Sequence, residues 1–248
     1  MPIPYLRSLT DRNRTPQADR RLARYLIFIA GAANAGGFIA VGRYTSHMTG
    51  TVSAMADDLV LGAATSVVAI GLVAVAAFVS GAASTALLVN FGRRRELRSQ
   101  YALPLFLEGL LLTAFAFNSG HAFDQASTLL WTALLSYVMG LQNAMVTKIS
   151  KAVVRTTHIT GMVTDIGIEL GKLVYINERS SRHTPVRADR DKLQLLGSLV
   201  ALFFVGGIGG AFAFERYGYA SALVLAVMLF MLAIVPMADD LFSMRSGT

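Results

Sequence analysis

Ser46-His47-Met48-Thr49-Gly50-Thr51-Val52-Ser53 and Thr157-His158-Ile159-Thr160-Gly161-Met162-Val163-Thr164 are two copies of one motif, 111 residues apart. His, Thr, Gly and Val recur in a single register. The match runs on without a gap to Asp58 against Glu169 and Leu59 against Leu170. Upstream, Asn34 corresponds to Asn143 once two residues are inserted. Such agreement points to a duplication, and the fold follows from what each copy is embedded in.

The surroundings are apolar. Of 248 residues, 54% are hydrophobic and 15% charged, against about 25% charged in soluble domains. Mean hydropathy is +0.54. This excludes a disordered chain, argues against a soluble enzyme and predicts an all-α membrane protein. Six apolar stretches stand out: 22–42, 65–90, 101–117, 127–147, 193–214 and 217–237. Each can cross about 30 Å of hydrocarbon as a helix. Only a helix satisfies its backbone groups within one such segment. The first is read as a retained anchor and not a cleaved signal, because its polar leader is long and no A-x-A site follows.

Basic residues set the orientation. With the N-terminus inside, 20 of the 22 Lys and Arg fall on the cytoplasmic side, and only Arg43 and Arg216 lie outside. That asymmetry is a strong positive-inside signal and predicts that both termini are cytoplasmic. The chain then divides into a basic tail (1–21), a first repeat of three spans (22–118) and an outer loop (119–126). A second repeat of three spans follows (127–237, with a cytoplasmic linker at 178–192), then a tail (238–248). Three spans per repeat is an odd number, so the second copy enters the membrane from the opposite face. The predicted plan is six transmembrane helices in two inverted-topology repeats. Each has a short helix after its first span.

The motif reads as the start of that short helix. Thr49 and Thr160 can cap it, and Gly50 and Gly161 allow a tight turn into it. The two short helices either re-enter the membrane and face each other near the midplane, or lie in the interfaces as amphipathic helices. The re-entrant reading is favoured and requires a hydrated cavity.

At these residues the chain resembles the YoaK family of bacterial multi-pass membrane proteins, carried largely as a domain of unknown function. The resemblance rests on Gly31 to Gly37, on Ser46-His47-Met48-Thr49-Gly50 and on Gly140-Leu141-Gln142-Asn143-Ala144. It rests also on Val154-Arg155-Thr156-Thr157-His158-Ile159-Thr160-Gly161, continuing to Asp165 and Gly171. It covers about Arg20 to Met237. Asn34 departs from the Asp expected in the family, and Thr51 from the Asn expected after Thr-Gly. The resemblance implies an inner-membrane protein that moves a small molecule.

The candidate pathway residues each carry a plainer alternative. His47 and His158 either line a shared route, binding solute or relaying protons, or bond backbone at a helix start. Thr49, Gly50, Thr160 and Gly161 either present helix N-termini to an anion or simply cap. Glu108 sits mid-span, where a carboxylate costs roughly 2.5–3.5 kcal/mol, so it faces protein or water and serves either proton coupling or helix packing. Asn34, Gln142 and Asn143 bind solute or bond helices to one another. Asp165, Glu169 and Lys172 share one helix face, so the two acids bind a cation or pair with lysine.

The net charge of +7 is directed at anionic headgroups and not at nucleic acid. No cysteine is present, no HExxH occurs, and two His are too few for zinc. No metal or cofactor is expected, and no nucleotide-binding loop appears. The sequence thus predicts a transporter or channel for a small polar or anionic solute. The alternatives are a membrane-embedded enzyme acting on a lipid or isoprenoid with His47 or His158 as base, and a non-catalytic scaffold. A homo-oligomer is compatible with each.

Overall fold

Thr15 and Pro16 start the first helix earlier than hydropathy alone indicates. Thr15 accepts the Ala18 N–H at 3.2 Å, and Pro16 occupies the first turn, where its missing N–H costs nothing. Helix α1 therefore runs Pro16–Val41 and ends on Gly42, whose φ of 72° closes a left-handed cap onto Phe38. The computed structural model describes residue 9 and residues 15–117, 125–149, 157–177 and 184–246. Most of the outer loop 119–126, Arg155 of the second motif and the start of the linker at Glu178 lie outside them.

The remaining helices are α2 Met48–Val60, α3 Thr65–Arg94, α4 Ala102–Ala116, α5 Gln125–Ile149, α6 Ile159–Val174, α7 Arg190–Tyr217 and α8 Ala222–Ser246. Tight 3-10 turns, Arg98–Tyr101 and Gly218–Ser221, precede α4 and α8. No strand occurs among the described residues.

Five helical stretches are long and apolar enough to cross a membrane: Pro16–Val41, Thr65–Arg94, Arg98–Ala116, Ala126–Ile149 and Arg190–Phe242. The last is 53 residues long, roughly 80 Å if it were one straight helix. Gly218, with φ 61°, breaks it into α7 and α8. Large apolar side chains point outward: Leu72, Val79 and Leu87 on α3, and Phe204, Ile208 and Phe212 on α7. In water such faces would be costly; against lipid they are not. The chain is an all-helical integral membrane protein.

Three helix pairs carry the packing: α1 with α7, α3 with α5, and α4 with α8. Glycine makes the first two possible. A Cβ at Gly31 would fall 2.1 Å from the Phe203 carbonyl oxygen, and one at Gly206 2.2 Å from that of Phe28. A Cβ at Gly140 would fall 2.0 Å from the Phe78 oxygen, and one at Gly81 2.0 Å from that of Tyr137. Backbone meets backbone at both crossings, which only glycine permits. The second crossing repeats the first, shifted by 109 residues from α1 to α5 and by 125 from α3 to α7.

The third pair is held differently. Phe230 of α8 lies over Gly109 and tilts against Phe106, with ring centroids 5.3 Å apart. The Asp240 carboxylate accepts the Arg98 N–H at 2.9 Å and the Ser99 N–H at 2.8 Å. It thereby ties the turn before α4 to the end of α8.

Candidate functional site

After Gly42 the chain turns back on itself. Ser46 Oγ donates to Asn34 Oδ1 at 2.7 Å. Asn34 lies eight residues before Gly42, about 12 Å down α1 at 1.5 Å per residue. The segment from Arg43 to His47 therefore descends beside α1 before α2 begins. The second copy has the same tether. Asn143, six residues before Ile149, accepts the Thr157 N–H at 3.3 Å and donates through Nδ2 to Thr157 Oγ1. An amide inside each long helix thus tethers the hydroxyl residue that precedes each His.

His47 and His158 are the cap residues of α2 and α6, and neither makes a side-chain cap bond. Thr49 and Thr160 lie inside the helices, which corrects the expectation that they cap. The helices start earlier because the His47 carbonyl already accepts the Thr51 N–H at 3.0 Å, and that of His158 the Met162 N–H at 3.2 Å. Gly50 and Gly161 are also needed for another reason than a tight turn. A Cβ at Gly50 would fall 2.1 Å from His47 Cδ2, and one at Gly161 2.2 Å from His158 Nδ1. Each imidazole folds over its own glycine. The three-residue spacing records that contact.

The two copies differ in what surrounds them. His47 is exposed and opens onto a cavity of about 300 Å³. Its polar lining is Arg43, Tyr44, His47, Thr51, Asp58 and Thr132 of α5. Phe38, which stacks on Tyr44 at 4.5 Å, supplies an apolar wall. A guanidinium, an imidazole, a carboxylate and three hydroxyls thus line one hollow. Sequence reasoning missed Arg43, Tyr44 and Thr132. Arg43 was one of two basic residues assigned outside, and that was its only signal.

His158 does not line this cavity. A Cβ at Gly37 would lie 3.3 Å from Leu135, while Phe38 and Gly42 share the cavity with Thr132. α1 and α5 are therefore antiparallel. Matching levels along them puts Asn143 about five residues, roughly 7 Å, beyond Asn34. Gly31 and Gly140 lie between.

Around α6 the charges are paired. Glu169 is buried; it accepts from Lys172 Nζ at 2.9 Å and from the Asp189 N–H at 2.9 Å. Lys192 of α7 reaches Asp165 at 3.4 Å and Glu169 at 3.9 Å. These bonds dock α6 on the start of α7. The Lys172 hydrogen bond first, then the Asp189 N–H, hold the Glu169 carboxyl below its ordinary value of 4.5. A depressed carboxyl stabilises the fold above that value and ceases to do so as pH falls through the lowered one. The melting-temperature gap between the native chain and Glu169→Gln is expected to be present at neutral pH and to close in acid. A gap independent of pH would remove the ion pair as its cause.

Asp58, the counterpart of Glu169, instead lines the His47 cavity. Glu108 is buried in α4 and does not line that cavity. Among the described residues, no group of three or more His, Cys, Asp or Glu could hold a metal ion.

Comparison with curated proteins and with solved structures gives no match. A family model described as a protein of unknown function (DUF1275) matches residues 22–235, most of the chain. From the first span to the last apolar helix, this chain belongs to the DUF1275 family of proteins of unknown function.

Proposed function

We propose that the chain is a six-span inner-membrane transporter or channel for a small polar or anionic solute, built from two inverted repeats. The observation that carries the reading is the pair of returning segments tethered by Asn34 and Asn143. Each brings a helix N-terminus with unbonded N–H groups back toward the middle of the bundle, as broken helices do in transporters. The matched glycine crossings support inversion, since exchanging α1 with α5 and α3 with α7 reproduces the same contacts. Splitting the 53-residue stretch at Gly218 supports six spans.

In this reading the His47 cavity is the outer mouth. Arg43, His47 and the N-terminal N–H groups of α2 favour an anion or a carboxylate-bearing solute, and Asp58 accepts its donor groups. A volume of about 300 Å³ suits a metabolite-sized ligand. The second helix start, at His158, Thr160 and Gly161, forms the inner counterpart. Basic residues on the inner side rest on anionic headgroups, and a bacterial inner membrane is the location that the resemblance to the YoaK family implies. Homo-oligomers fit the same plan.

The native chain has no cysteine, which makes the test direct. Val52 and Val163 occupy equivalent motif positions and are both about half exposed. Val52→Cys is expected to react with a membrane-impermeant thiol reagent from outside only, and Val163→Cys from inside only. A solute that slows the Val52→Cys reaction, and no longer does so after His47→Ala, is the leading substrate. Reaction of both cysteines from one side overturns the inversion and the transport route with it. Turnover of a lipid in detergent without any gradient would favour the enzyme.

A further inference from the structure

Five buried polar atoms in α4 and α5 have no protein partner among the described residues: the Thr132 and Ser136 hydroxyls, Glu108 Oε2, Gln142 Oε1 and Gln142 Nε2, and the last three belong to an acid and an amide. Both residues are 1% exposed. One ring contact sets the relative direction and register of their helices. Phe115, at the end of α4, meets Trp131, near the start of α5, edge-on at 5.5 Å. Helices that touch in this way, end to start, run antiparallel. Glu108 precedes Phe115 by seven residues, and Gln142 follows Trp131 by eleven. At about 100° per residue, each lies within roughly 20° of that contact face. Counted inward, Glu108 is about 10 Å and Gln142 about 16 Å from the rings. The two side chains and one water span that offset.

Among the described residues packed on α4, no charge lies level with Glu108. The elements packed most extensively on α4 are α3, α5, α8 and the two 3-10 turns, and Phe214 of α7, next to Glu215 and Arg216, touches Phe115 at the far end. α3 has no titratable residue before Arg93, and α8 has none before Asp239. α5 has Lys148 at its far end and Tyr137, whose hydroxyl donates to Ser84 of α3 at 2.6 Å. In the turns, Tyr219 lies against Phe115, while Arg98 and Tyr101 sit at the opening end of α4. Glu108 therefore has no charged partner among these groups, and α5 carries the unpartnered Gln142 carboxamide. A carboxamide suits both states of an acid, since its oxygen accepts from the protonated form and its NH₂ donates to the carboxylate.

We propose that Glu108 and Gln142 form a buried proton-binding site, in which Glu108 takes a proton from water and a water molecule bridges its carboxyl to the Gln142 amide. The proton returns to water when the acid ionises. The site stands on its own geometry; its use, a proton moving as the solute crosses, rests on the transport reading.

Infrared spectroscopy of the full chain in lipid tests it. The native protein is expected to show a protonated-carboxyl carbonyl band at neutral pH that shifts on exchange into D₂O. Glu108→Gln is expected to remove one carboxyl's worth of that band, and Gln142→Leu to move its frequency. The D₂O shift is read on the native chain and needs no variant to fold. No band at neutral pH, a band that does not exchange, or one untouched by Glu108→Gln overturns the site. An unmoved band in Gln142→Leu overturns the bridge to Gln142. Neither result alters the labelling of Val52→Cys and Val163→Cys, so failure here is distinct from failure of the transport reading.

Discussion

Gly31→Leu and Gly140→Leu are expected to leave almost no folded protein. At both positions the added atoms would meet a carbonyl oxygen of the facing helix, at 2.1 Å and 2.0 Å for the first carbon alone. A main-chain oxygen cannot rotate away as a flexible side chain can. The helices must separate, and every contact along the crossing loosens with them. Overpacking a core typically costs about 1–3 kcal/mol, occasionally more. Alanine should fall within that range and leucine above it. Gly197→Ala and Gly209→Ala are the controls, because nothing lies within 4 Å of a Cβ there. They should change stability by no more than about 1 kcal/mol, the helix-propensity difference. Thermal unfolding of the purified protein in detergent separates the two classes. A melting temperature for Gly31→Leu equal to that of Gly209→Ala would mean that α1 and α7 do not cross backbone to backbone.

Asp240→Ala is the second large effect. Its carboxylate takes two consecutive main-chain N–H groups, those of Arg98 and Ser99, and Ser99 is itself buried. Hydrogen bonds to a charged group contribute about 1.5–3 kcal/mol each, and an orphaned buried donor adds its own desolvation cost. Alanine should therefore destabilise by about 3–6 kcal/mol. Asn offers a single acceptor oxygen and should lose roughly half as much. Proteolysis within the segment from Glu96 to Tyr101, together with the melting temperature, reads the effect at its source. If Asp240→Ala melts with the native chain and that segment stays protected, the tie between α8 and the start of α4 is not what orders it.

Much of the helical plan was legible in the sequence because a bilayer leaves few choices. Apolar runs of the right length must be helices, and their spacing needs no knowledge of packing. The ends were less legible. α1 starts before residue 22 because Thr15 and Pro16 form a cap ahead of the apolar run. The step before α4 is a 3-10 turn held by a residue far along the chain. Asn34 and Asn143 were recognised as a corresponding pair, but their partners Ser46 and Thr157 could not be derived. Each bond joins residues 12 or 14 positions apart, a pairing that residue type alone does not announce. Thr49 and Thr160 were given the capping role by residue type. Asp165 and Glu169 were placed on one face correctly, yet their use depends on Lys192 and the Asp189 N–H, which arrive from another helix.

The amino-acid sequence by itself determined the helical, membrane-embedded character of this protein, the duplication of the His-x-Thr-Gly motif and the asymmetry of basic charge. Each rests on composition, period or identity along the chain. Only the tertiary structure decided which helices cross, that His47 opens on a cavity with Arg43 and Thr132 while His158 does not line it, and that Glu108 and Gln142 are buried with polar atoms left unpartnered. Those facts depend on residues far apart in number meeting at one depth, and glycine-lined crossings with their fixed register set that depth.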